Sequence, residues 1–179
     1  MLVTDKKAYS ELCRLITTCR RAAEKGTYLF NPGQLFDLQH CLLLWQPQQS
    51  FYAQPQQSQQ PQQTQQAEFT RRLSHHFAHR LWLLAERMLD ATDEWRFDRL
   101  CRFARQWQIP LTCASQVHMH IPARQPLQDC ITAIRHNQTI ESCRQHLFSN
   151  NERHLRSCKK LTHLYSAELM ASTTAIARQ

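Results

Sequence analysis

Glycine is nearly absent from the 179 residues: only Gly26 and Gly33 occur, so no glycine-rich loop can cradle a phosphate on bare backbone N–H groups. Negative charge is also scarce, 14 Asp and Glu against 22 Lys and Arg, which leaves a formal charge of +8 and a pI near 9.3. That balance favours an anionic polymer or surface as a neighbour, although its sign alone does not choose between nucleic acid and membrane. No run approaches the roughly 18 apolar residues of a membrane span, and Met1 to Lys7 has no apolar signal region. A soluble, cytoplasmic protein is the expectation. The eight cysteines include no Cys-x-x-Cys pair, so they read as reduced thiols packed as small hydrophobes.

What is present suits one domain, since domains commonly run about 100–200 residues. Hydrophobic residues make up 42% of the chain and charged ones 20%, which is ordinary globular usage. The exception is Gln46 to Gln66, rich in glutamine and carrying Pro47, Pro55 and Pro61. Such a segment buries too little apolar surface to offset its ordering entropy, so a disordered loop insertion over 46–66 is expected.

Hydrophobic spacing predicts an amphipathic helix over Asp5–Lys25, closed near Gly26, with Arg14, Arg20 and Arg21 interleaved. A short helical stretch at Gln34–Gln39 leads to a buried strand at Cys41–Trp45. Helix at Ala67–His79, strand at Leu81–Ala85, helix at Thr92–Gln108 and strand at Leu111–Val117 follow, with Pro110 as the break. Strands alternating with helices of this length suggest parallel βα units. From Pro126 onward the pattern is helical, with candidates at Leu127–His136, Ile140–His146, Cys158–Leu164 and Ala167–Ala177.

Four runs carry a family resemblance: Val117-His118-Met119-His120, Arg124 to Asp129, Thr132 to Arg135, and Asn151 to Ser157. They resemble the end of the PHP (polymerase and histidinol phosphatase) domain of error-prone, C-family DNA polymerases, which are similar to the DNA polymerase III alpha subunit. Ala8 to Thr17 resembles the helix after an early barrel strand of that domain, with Cys41 to Pro47 and Arg80 to Leu83 in the expected order between. The resemblance implies an α/β fold: an incomplete, distorted βα barrel with a helical carboxy-terminal third, a partial PHP domain over 1–179. It implies a scaffold for the core of a translesion polymerase acting in DNA repair and damage-induced mutagenesis. Polymerase carboxylates, clamp-binding and helix-hairpin-helix regions would follow Gln179, and the opening His-x-His segment would precede Met1. Implied partners are the remaining polymerase domains, DNA, a sliding clamp and mutagenesis accessory proteins. Two alternatives stand beside it: a PHP-type metal-dependent phosphoesterase or nuclease, and a non-catalytic basic module that binds DNA or protein partners.

The candidate site residues divide by chemistry. His118 and His120, two apart at the end of an expected strand, would point to one face as a metal pair requires. In the resembling family the first of these histidines ligates metal beside an aspartate two residues earlier. Here that position is Gln116, which supplies no anionic ligand for zinc or manganese and no base. His75, His76 and His79, the pair Cys143 and His146, and Cys158 with His154 and His163 are weaker ligand patterns. Arg153, Arg156, Lys159 and Lys160 form a basic run able to meet phosphates, as do Arg14, Arg20 and Arg21. Trp95 and Trp107 read as core residues before stacking platforms. Asp129 is expected to favour a helix start and Glu152 to pair with an arginine.

Overall fold

A computed structural model describes residues 1–48 and 60–179, and within 60–63 the backbone alone. The elements run α1 (Lys6–Arg21), β1 (Leu43–Trp45), α2 (Gln60–His76), β2 (Leu81–Glu86), α3 (Asp93–Trp107), β3 (Leu111–Ala114), α4 (Gln125–His136), α5 (Cys158–Leu164) and α6 (Ala167–Ala177). A small parallel three-stranded sheet has the order β1-β2-β3. β1 pairs with β2 in the register Leu43↔Leu81, Leu44↔Trp82, Trp45↔Leu83. The chain divides into two compact units: Met1–Leu84 with Cys101–Leu111 and Arg178–Gln179, and Ala85–Leu100 with Thr112–Ala177.

In the first unit α1 starts where Asp5 accepts the Ala8 N–H at 2.7 Å, an N-cap that satisfies one of the orphan donors of the first turn. It buries Ala8, Leu15 and Cys19 along one stripe. The helix stops at Arg21, short of the expected Lys25. Gly26, at φ +94°, instead serves a separate turn in which Thr27 donates to the Glu24 carbonyl through both N–H and hydroxyl. A 3-10 helix over Pro32–Asp37 replaces the expected stretch 34–39, fixed by a capping box between Asn31 and Gln34. α2 begins at Gln60, inside the interval 46–66 for which a disordered loop is expected; residues 49–59 lie outside the described residues. Leu73 and Phe77 are fully buried, and β2 alternates with Leu81, Leu83 and Ala85 inward.

In the second unit α4 carries Pro126 in its first turn, where a missing N–H costs nothing, and ends at Asn137 in the left-handed region. The expected helix over Ile140–His146 does not form: only Arg144–His146 is helical, as a 3-10 turn. The Thr139 hydroxyl instead takes the Ser142 N–H at 3.2 Å into a local turn. α5 is capped by Ser157, which accepts the Lys160 N–H. β3 ends at Ala114 instead of Val117 because Gln116 turns to φ +42°, outside extended geometry. Among the described residues no helix is long and apolar enough to cross a membrane.

Candidate functional site

The densest polar chemistry of the second unit gathers where β2 and β3 end, the edge at which open α/β sheets place their sites. Just past β2, Arg87 reaches Asp93 through Nε at 2.7 Å and Glu94 through Nη2. Asp93 is only 3% exposed and also accepts the Met88 N–H at 2.7 Å. Asp90 holds the intervening turn by accepting the Thr92 N–H and hydroxyl, and it pairs with Arg96 at 2.8 Å. Burial alone would raise the Asp90 carboxyl, but Arg96 and Thr92 bring it below its ordinary value.

The Tyr165 hydroxyl joins the two strand ends. It donates to the Ala114 carbonyl at 2.7 Å and accepts the Arg87 N–H at 3.1 Å. Burial raises the phenol above its ordinary value, since the phenolate would lose solvation there. Arg156 is buried, with a side chain 0% exposed; its Nη2 donates to the Arg87 carbonyl at 2.6 Å and to Glu152 at 3.2 Å. Its Nε and Nη1 meet no partner. Lys160 donates to both Glu152 oxygens, at 2.8 and 3.1 Å. Burial pushes the Glu152 carboxyl up, yet Lys160 and Arg156 draw it below the usual glutamate range.

This geometry sorts the basic run expected to meet phosphates. Arg156 and Lys160 are held by internal oxygens, and Arg153 lies 4.3 Å from the Phe148 ring centroid. Burial, with Arg96 nearby, lowers the Arg153 guanidinium from its usual value. Lys159 is exposed. Glu152 pairs with an arginine as expected, whereas Asp129 falls in the second turn of α4, beyond the helix start, with its buried Oδ1 unpartnered.

His118 and His120 do not stand on a strand. They flank buried Met119, whose neighbourhood is pinned when the His118 and Met119 N–H groups both donate to the Arg153 carbonyl. The His118 ring packs edge-on to Phe148 at 4.9 Å. Gln116 supplies no carboxylate, and among the described residues no three His, Cys, Asp or Glu side chains gather to hold a metal ion. The donor set among the described residues therefore does not fit the zinc or manganese centre that the resemblance implies.

The other patterns disperse as well. α2 ends at His76, whose ring meets the Leu38 carbonyl at 2.8 Å, while His79 has left the helix at φ +64°. His146 stacks on His136 at 4.0 Å, and Cys143 is fully buried. Cys158 and His163 are exposed, and His154 meets the Asn151 carbonyl. Trp107 packs against Phe103, but Trp95 is 45% exposed beneath Arg99, against the expectation of a core residue. Sequence reasoning missed Arg87, Asp93 and Tyr165. The one local signal was the Arg-x5-Asp-Glu spacing between Arg87 and Asp93-Glu94.

No protein-family model matches the chain. Curated relatives do: a protein of Vibrio vulnificus (strain YJ016) named error-prone DNA polymerase is 37% identical over 177 residues, 99% of this chain and 16% of the relative. Proteins of the same name from Hahella chejuensis and Pseudomonas aeruginosa are 35% and 36% identical over 178 and 180 residues. The chain spans about 16% of the length of these relatives and is similar to them from end to end.

Proposed function

We propose that this chain is a piece of an error-prone DNA polymerase, part of its PHP domain, where it supports the polymerase core during translesion synthesis in DNA repair. The observation that carries this reading is the end-to-end similarity of 99–100% of the chain to polymerases six times its length. A parallel sheet with helices between its strands is compatible with part of a distorted βα barrel, whose other strands would belong to the rest of the polymerase. The strand-end cluster supports a scaffold role. Its arginines and carboxylates are engaged with one another and with backbone, which suits positioning of strand ends more than reaction with a substrate. Nucleotide transfer, clamp contacts and accessory-protein contacts belong to the remainder of the polymerase.

The test is a chimera in which this chain replaces the matching stretch of the Vibrio vulnificus polymerase. Primer extension across an abasic template within about tenfold of the parent is the expected result. A soluble, folded chimera with no extension on damaged or undamaged template overturns the reading. The phosphoesterase alternative is met by assaying the isolated chain on p-nitrophenyl phosphate with manganese or zinc. The scaffold reading expects no turnover that depends on His118; turnover abolished by His118→Ala would replace it.

A further inference from the structure

Two basic runs stand out in the sequence, and the structure treats them oppositely. Arg156 and Lys160 of the carboxy-terminal run are bound by Glu152 and by a backbone carbonyl. The cations of α1 are free. At 100° per residue, Ala8, Leu15 and Cys19 define the buried face of α1, and Lys6, Lys7, Arg14, Arg20 and Arg21 fan across the opposite side. All five are exposed, and among the described residues none has a side-chain ion pair or hydrogen bond.

That face holds no carboxylate. Asp5 is spent as the N-cap, and Glu11 accepts the Gln39 and His40 N–H groups and the His40 ring, at 3.0, 3.0 and 2.6 Å. Two other acids lie at its margins: Asp37, with Glu11, Arg14 and Thr18, walls a cavity of about 70 Å³ and makes no ion pair with Arg14, and Glu24, past the end of the helix, makes none with Arg20 or Arg21. Between the cations lie the exposed hydroxyls of Ser10 and Thr17, and Tyr9 is 60% exposed at the edge. Such a face is cationic, hydroxyl-bearing and edged by an aromatic ring, the composition that meets a sugar-phosphate backbone.

We infer that the solvent face of α1 is a contact surface for the phosphate backbone of DNA, made by Lys6, Lys7, Arg14, Arg20 and Arg21. The choice of DNA among polyanions rests on the polymerase reading above. From Lys6 to Arg21 the helix rises about 22 Å, and one strand of duplex presents about six phosphates over that axial distance. Five cations match that density. The contact is independent of base sequence, because nothing on this face offers a rigid bidentate pair to base edges.

The isolated chain is titrated with a fluorescein-labelled 30-base-pair duplex by anisotropy between 50 and 200 mM salt. Five neutralised phosphates give a slope of log K on log salt near −4.5, a loss of affinity of about 500-fold over that range. Arg14→Gln with Arg21→Gln reduces the slope to about −2.7 and the loss to about 40-fold, with helicity retained because Arg and Gln have similar helix propensity. Arg71→Gln, which removes an exposed cation already paired with Glu68 on α2, leaves the slope unchanged. An unchanged slope in the double variant, no binding at 50 mM salt, or equal affinity for phosphatidylserine vesicles overturns the inference. Loss of extension in the chimera would instead overturn the polymerase reading, so the two failures are distinguishable.

Discussion

Tyr165→Phe isolates the bond that ties the two strand ends of the second unit. The phenol is 4% exposed, and its single hydroxyl donates to Ala114 and accepts from Arg87 at once, as one O–H with free lone pairs can. Phenylalanine keeps the ring and its packing but leaves one part-buried backbone N–H and one part-buried C=O without this partner. A fully buried orphan costs about 1–3 kcal/mol and a part-buried one about 1–2, so the substitution costs roughly 2–4 kcal/mol, a large share of the ~5–15 kcal/mol that holds a domain together. With a urea dependence near 2 kcal/mol/M, the unfolding midpoint falls by about 1–2 M. Tryptophan fluorescence reports the transition, with Tyr28→Phe, 69% exposed in the wild type, as the control expected to stay within about 0.5 kcal/mol. A midpoint shift below about 0.3 M at unchanged slope would refute the claim that this hydroxyl joins β2 to β3.

The same phenol sets an alkaline limit: burial raises its folded pKa, so the stability it contributes is full below the unfolded value near 10 and falls as pH rises above it. Tyr165→Phe therefore flattens the loss of thermal stability between about pH 9.5 and 11, as read by circular dichroism. Glu152 has the opposite sign: its folded pKa is depressed, so its contribution is present above the ordinary glutamate value and disappears as pH falls through the folded one. Glu152→Gln is expected to lower stability by about 1–2 kcal/mol at pH 7, with the deficit narrowing in melts near pH 3; a deficit independent of pH would refute the pairing with Lys160 and Arg156. On α4, Leu127, Ile131 and Ile134 are 52, 52 and 78% exposed along one stripe, so the isolated chain is expected to self-associate as concentration rises. Ile131→Lys with Ile134→Lys should restore a constant elution volume in size-exclusion chromatography without lowering the unfolding midpoint.

Local signals were legible where one residue type settles a boundary. Asp5, Pro126 and Ser157 start their helices, Asn137 ends one, and the alternation of β2 is visible in Leu81, Leu83 and Ala85. The errors fall where a long-range partner or a competing local preference decides. Periodicity extends β3 to Val117, but the Ala114 carbonyl is taken by Tyr165, 51 residues away, and the chain turns at Gln116. Helical spacing over 140–146 gives way to a threonine turn. The glutamine-rich interval conceals the start of α2 because Gln itself is a good helix former, so a composition too polar for a core still extends a helix.

The site shows why a run of like charges is a weak indicator. Arg153, Arg156, Lys159 and Lys160 look like one basic surface in sequence, yet folding separates them by burial. Arg156 serves the Arg87 carbonyl, Lys160 serves Glu152, Arg153 lies against Phe148, and Lys159 faces solvent. The four-residue step from Glu152 to Arg156, and again to Lys160, is a local hint that this run carries its own counter-charge. α1 lacks that hint: its one interior acid, Glu11, is drawn away by the backbone at Gln39 and His40 and by the His40 ring. Of these two basic runs, the one left unneutralised is consequently the one whose acid is consumed by tertiary structure, a distinction no count of lysines and arginines can make.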